Sequence, residues 1–248
     1  MLSFSERRVF LSALPALGLT LGLAVFAPLA VAKDPPGPKP VIQSVAVIPA
    51  THMPLTFEYS ASLFVPFIAR QIVNRVNANL GETNAKIIND KLTAENLDLG
   101  KQLTELVVKQ LQDAGLTVEL LGNVERKPGA PDNVDYTKVT HNSDAILHVY
   151  FSDLTYQSPR GQSAYWPRVS TGALVYDKTG KKYLYESTSY LDRGAKESNT
   201  GYFDAKDDLS FESQEVMIDQ TAKLRTNLER VTTQAGEYLG KNILLQSR

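Results

Sequence analysis

Met217, Leu224, Val231 and Tyr238 recur at intervals of seven, and Leu228 and Ala235 fill the other half of the same stripe. The pattern predicts a long closing helix over about 210–244 with a single apolar face. One stripe needs one packed surface, and a sheet face suits it better than a coiled coil. Asp207 and Asp208 read as complements to the positive start of that helix.

The preceding region supplies such a sheet. Between Ala145 and Tyr156, Leu147, Val149 and Phe151 alternate with His148, Tyr150 and Ser152, the pattern of a half-buried strand. His148 is expected on the second sheet face, satisfied by a neighbour. Residues 169–176 and 181–191 flank Asp177-Lys178-Thr179-Gly180, whose glycine can take the left-handed conformation that closes a hairpin. Upstream, Val45-Ala46-Val47-Ile48, closed by Pro49, is a nearly continuous apolar run and reads as a central strand covered on both faces. A helix should open near Pro66 and carry Ile68, Ile72, Val76 and Leu80 before Gly81; the polar stretch 82–98 is ambiguous. A second helix has Thr93 as its candidate N-cap, Leu99, Leu103, Leu106, Val107 and Leu111 on one face and Gly115 as its stop, with a strand over 116–121. The expected fold class is α/β: a mixed sheet of about five strands packed by two to three helices, the C-terminal one long.

The amino terminus reads as an address. Glu6-Arg7-Arg8, the uncharged run 9–29 and Ala30-Val31-Ala32 ahead of Lys33 form a signal-peptide pattern, with cleavage expected after Ala32. Arg7-Arg8-Val9-Phe10-Leu11 resembles the bacterial twin-arginine export signal, although Glu6 and Ser12 stand at its usual flanks. General secretion also uses two arginines before an apolar run, so both routes stay open. Retention as an anchor is a third reading, because the uncharged run 9–32 exceeds the roughly 20 residues that span hydrocarbon. Pro15, Pro28 and the Ala-Val-Ala site oppose it. Residues 33–40 form a stiff proline-rich spacer, and 41–248 are expected to make one α/β domain. The expected location is the periplasm or exterior of a bacterium, with no stable membrane span after cleavage.

Val45-Ala46-Val47-Ile48-Pro49, the helix containing Leu99-Gly100-Lys101-Gln102-Leu103-Thr104-Glu105-Leu106, its Asp113-Ala114-Gly115 exit and the Asp177-Lys178-Thr179-Gly180-Lys181 hairpin resemble a broad group of bacterial envelope proteins. That group includes the curli-secretion lipoprotein, lipoproteins that activate peptidoglycan synthases and the amino-terminal domain of TolB. The resemblance covers about residues 41–191. It implies a non-enzymatic assembly or accessory role and transfers no functional residue. This chain departs from the two lipoprotein types in having no cysteine to lipidate.

The lack of cysteine also excludes disulfides, iron–sulfur clusters and thiolate-bound zinc. Without the leader the chain has 24 basic and 26 acidic residues, and no basic stripe marks a nucleic-acid partner. Phosphate-cradling glycine motifs are absent, so no nucleotide or other cofactor is expected. No metal site is expected either: Asp132-Asn133-Val134-Asp135 lacks the alternation and glycine turn of a calcium loop. No catalytic residue is nominated. Gly161-Gln162-Ser163-Ala164-Tyr165 has only the first glycine of a nucleophile elbow, and His141-Asn142-Ser143-Asp144 reads as a turn capped by Asn142 or Asp144.

One surplus stands out. Eight of the 11 tyrosines fall between Tyr150 and Tyr202, with Trp166, the only tryptophan, among them. Amphipathic rings beside guanidinium groups suit recognition of a glycan or a protein partner, so Tyr165, Trp166, Arg168 and Arg160 are the candidate binding residues. Tyrosine also suits half-exposed antiparallel strands in general. The functional expectation is a non-enzymatic periplasmic binding or accessory protein of the envelope; the alternative is a periplasmic hydrolase with a non-local site.

Overall fold

The computed structural model describes residues 42–59, 67–122, 124–127, 130–159, 162–195 and 201–247. The leader, the proline-rich spacer and Arg160 lie outside them. The elements are β1 (Ser44–Ile48), β2 (Thr56–Tyr59), α1 (Phe67–Ala94), α2 (Leu99–Asp113), β3 (Thr117–Leu120), β4 (Arg126–Lys127), β5 (Ala130–Val134), β6 (Ala145–Ser158), β7 (Trp166–Asp177), β8 (Tyr183–Asp192), β9 (Tyr202–Asp204), α3 (Gln214–Asp219) and α4 (Thr221–Ser247). Short 3-10 turns occupy Tyr136–Lys138 and Asp207–Leu209.

The fold is α/β with a mixed sheet in the order β3-β1-β6-β7-β8-β9. Strand β1 is parallel to both neighbours, β6-β7-β8 form an antiparallel meander, and β9 adds in parallel to β8. At 14 residues, β6 is long enough to take β1 at its beginning and β2, also parallel, at its end. The sheet therefore has seven strands where about five were expected, and four helices where two to three were expected. The unforeseen β2 and β9 have four and three residues, too short to carry a legible alternation.

Helices α2 and α4 pack on one sheet face. Leu103, Val107 and Leu111 from α2 join Leu224, Leu228, Val231 and Ala235 from α4 over Val47, Leu147, Val149 and Val175 of the sheet. The apolar stripe is thus buried as the heptad spacing predicts, although the tail is divided. Ser213 caps α3 by accepting from the Val216 N–H, and α4 starts only at Thr221. Asp207 and Asp208 pair with arginine side chains, Arg193 at 3.0 Å and Arg230 at 2.8 Å, and sit in a 3-10 turn rather than at the start of a long helix.

Two boundaries differ from expectation. Helix α1 passes through Gly81 and continues to Ala94. A helical glycine costs about 1 kcal/mol, and the ambiguous polar stretch outweighs it by docking. Ile88 and Leu92 are buried, Asn84 donates to Gln214 Oε1 at 2.8 Å, and the Asn89 amide bonds both the N–H and the carbonyl of Leu55 at 2.9 Å. Thr93 therefore lies inside α1. The cap of α2 is Asp98, which accepts from the Lys101 N–H at 2.9 Å.

Candidate functional site

Among the described residues no helix covers the other face of the meander. Strand alternation and register set its cross-strand rows. Ile146 lies beside Tyr176 and Tyr183, His148 beside Leu174 and Glu186, Tyr150 beside Gly172 and Thr188, and Asp153 beside Ser170, Tyr190 and Tyr202. Gly172 has a packing reason to be glycine: a Cβ there would lie 2.3 Å from the Tyr150 ring and hydroxyl. The ring lies flat across the strand, and its hydroxyl donates to Glu186 at 2.5 Å. Tyr202 stays 49% exposed and meets Tyr190 edge to face, with centroids 5.7 Å apart.

At the β2 end the face is organised around Arg168. Its Nε donates to Asp153 at 2.5 Å, and its Nη1 donates to Glu58 at 2.8 Å and to Gln157 Oε1 at 3.0 Å. Those bonds join β2, β6 and β7, and the two carboxylates, Glu58 foremost, raise the pKa of an already permanent cation. Gln157 donates onward to Asp192, which also accepts from the Arg193 N–H at 2.7 Å and the Tyr190 hydroxyl at 2.9 Å. Burial, reinforced by Asp192, pushes the Tyr190 hydroxyl up to about 12, so it remains a donor. The result is a pre-ordered surface of hydroxyls, carboxylates and ring edges.

At the β1 end, described residues of the stretch between β3 and β6 fold over the face. Leu121, Val124, Val139 and Tyr136 pack on Ile48, Val134, Ile146 and Tyr176. Tyr136 stacks on Tyr176 with centroids 4.1 Å apart, and its hydroxyl shares a 2.9 Å hydrogen bond with His148 Nδ1. His148 is fully buried and its Nε2 has no hydrogen-bond partner. Burial and the nearby Arg126 charge lower its pKa to about 4, so the ring is neutral at physiological pH. Gly180, at φ +67°, fits under this segment because a Cβ would meet the Tyr136 carbonyl oxygen at 2.2 Å.

The residues nominated from sequence are placed differently from a shared exposed patch. Trp166 is in register with Gln157 but only 7% exposed, with the Arg193 guanidinium 5.3 Å from its ring centroid. Its flat faces are taken up by packing. Tyr165 is half-buried, edge to face with Phe57, and its hydroxyl accepts from Gln214 Nε2 at 3.3 Å. Arg168 is on the open face but held by carboxylates, and Arg160 lies outside the described residues. Glu58 and Asp192 were not foreseen, because only nonlocal pairing brings them to Arg168 and Gln157.

The histidine turn locks the sheet. Asp144 Oδ2 accepts from the backbone N–H groups of Gln43 and Ser44 and from the Ser44 hydroxyl, at 2.8–3.1 Å. His141 Nδ1 accepts from the Ser143 N–H at 3.2 Å and Nε2 lies 3.1 Å from the Lys178 carbonyl oxygen, so backbone groups engage both ring nitrogens. Ser143 is buried and its hydroxyl donates to Glu119 at 3.2 Å. This geometry gives Ser143 no histidine base. Among the described residues no group of three or more histidine, aspartate or glutamate side chains is arranged to hold a metal, and no helix is long and apolar enough to cross a membrane.

No protein-family model and no curated protein matches the chain. Its structural neighbours include bacterial proteins, lipoproteins among them. A Xanthomonas campestris protein of family DUF330 is 14% identical with a TM-score of 0.35, covering 59% of this chain and 61% of its own. This chain thus spans about three fifths of that protein. A minor lipoprotein from Acinetobacter baumannii is 8% identical with a TM-score of 0.30, covering 82% of this chain and 96% of its own. A lipoprotein from Neisseria meningitidis is 13% identical with a TM-score of 0.19, covering 59% and 80%. Likeness at these values carries no functional inference.

Proposed function

We propose that this chain is a non-enzymatic accessory protein of the bacterial envelope, exported to the periplasm, whose open sheet face binds a glycan. Residues 1–32 act as the signal, 33–40 as a spacer and 41–248 as one domain. The observation that supports binding is the helix-free face on which Tyr150, Tyr190 and Tyr202 stand beside Glu186, Asp153 and Asp192. Carboxylates and hydroxyls can pair with sugar hydroxyls while ring edges and faces cover the apolar side of a pyranose. The nominated patch is recentred accordingly: Arg168 orders the edge of the face, Tyr165 packs against the main core with Phe57 and Gln214, and Tyr202 and Glu186 make contact.

Export is tested by mass spectrometry of the native amino terminus, expected at Lys33; an intact Met1 on a membrane-bound protein contradicts it. Replacing Arg7 and Arg8 by lysine separates the routes, since only the twin-arginine route should fail. Binding is tested by calorimetry with soluble peptidoglycan fragments, comparing the wild type with Tyr202→Ala and Glu186→Gln. Both substitutions change exposed side chains, so an unchanged fold with at least tenfold weaker binding is expected. Equal binding by all three proteins, or none by the wild type, refutes the glycan reading.

A further inference from the structure

A half-open cleft of about 430 Å³ lies between residues 121–122 and 124–127 on one side and residues of the 133–140 stretch on the other, at the opposite end of β6 from the Arg168 network. This is the volume range of small-molecule sites. Its walls are chemically divided. Leu121, Val124 and Val139 supply an apolar floor continuous with Ile48 and Ile146, while Arg126, Lys127 and Lys138 stand around it with Glu125 and Asp135. Arg126 is half-buried and fixed in position, because one guanidinium nitrogen donates to the Pro49 carbonyl at 2.6 Å. Lys138 lies 3.6 Å from Asp135 in a pair whose side chains are 70% and 50% exposed. Such a pair exchanges partners at little cost.

We propose that this cleft binds a small amphiphilic anion, its carboxylate, sulfonate or phosphate head among Arg126, Lys127 and Lys138 and its apolar body on Leu121, Val124 and Val139. Three cations against two carboxylates favour a negative head, and the floor excludes a ligand that is polar throughout. Neutral, buried His148 beneath the covering segment adds no competing acid or base. The site is independent of the glycan face, since none of its lining residues belongs to the meander.

The full mature chain is titrated with 8-anilinonaphthalene-1-sulfonate and with N-phenyl-1-naphthylamine, which has the same rings without the sulfonate. The sulfonate should bind at least tenfold more tightly, with amide shifts at Leu121, Val124 and Val139 in two-dimensional NMR. The double variant Lys127→Glu/Lys138→Glu alters exposed residues and should fold normally by circular dichroism. It should lose that preference while keeping its affinity for the neutral probe. Equal affinity for both probes, a variant that keeps the preference, or shifts confined elsewhere overturns the proposal. Cosedimentation with phosphatidylglycerol vesicles, lost in the variant, would assign the head to a lipid; probe binding without cosedimentation would assign it to a free solute.

Discussion

His148 is held neutral by burial, with the nearby Arg126 charge acting in the same direction. Its folded-state pKa, about 4, lies below the ordinary 6.5, so between these values the unfolded chain binds the extra proton. Stability from this ring is therefore complete above pH 6.5 and falls as pH drops toward 4, by about 3 kcal/mol. Urea unfolding at pH 7 and pH 4.5 should show that loss, and His148→Gln should remove most of it. A variant as acid-sensitive as the wild type would place the titrating group elsewhere. Asp144 acts in a separate window: its pKa is lowered by the Ser44 hydroxyl and the Gln43 and Ser44 N–H groups, so its contribution disappears only below the ordinary carboxylate range. Trp166, read from sequence as a contact residue, makes a different prediction once buried. Trp166→Ala should destabilise by about 3–5 kcal/mol through the cavity left behind. An unchanged melting temperature would contradict that packing.

Among the elements, α4 carries the clearest energetic signature. Leu224 is fully buried in the core shared with the β7–β8 hairpin. Leu224→Asp places an unpaired charge there and should cost several kcal/mol, read as a large fall in melting temperature; Thr226→Asp, on the exposed side of the same helix, should cost far less. The contrast separates burial from helix propensity. Periodicity explains what was legible: the heptad stripe, the β6 alternation, the Gly180 turn and the Gly115 stop are each signalled by a pattern that recurs within a few residues of sequence. The split at Gln220, the continuation of α1 through Gly81 and the strands β2 and β9 depend on partners far along the chain, such as Asn84 with Gln214 and Tyr190 with Tyr202. The candidate site divides in the same way. A tyrosine-rich meander was visible, but which rings stay exposed depended on what Arg193 and Phe57 cover.

At the scale of the molecule, β6 is, among the described residues, the one strand to which three others attach: β1 and β2 along one edge and β7 along the other. Its bonds with β1 close a loop of about a hundred residues, fastened by Asp144 onto Ser44. Such long-range parallel pairing forms slowly, and once made it is opened only by large-scale unfolding. Solvent deuterium should therefore invade the sheet from its short margins inward. The amides of β9, and those of the separate two-stranded β4–β5 ribbon, should exchange within the earliest time points, whereas those of Leu147 and Val149 should exchange only through events that open the whole sheet. The same ordering would govern a protease working in the envelope, because it finds a cleavable, extended backbone only where the sheet opens.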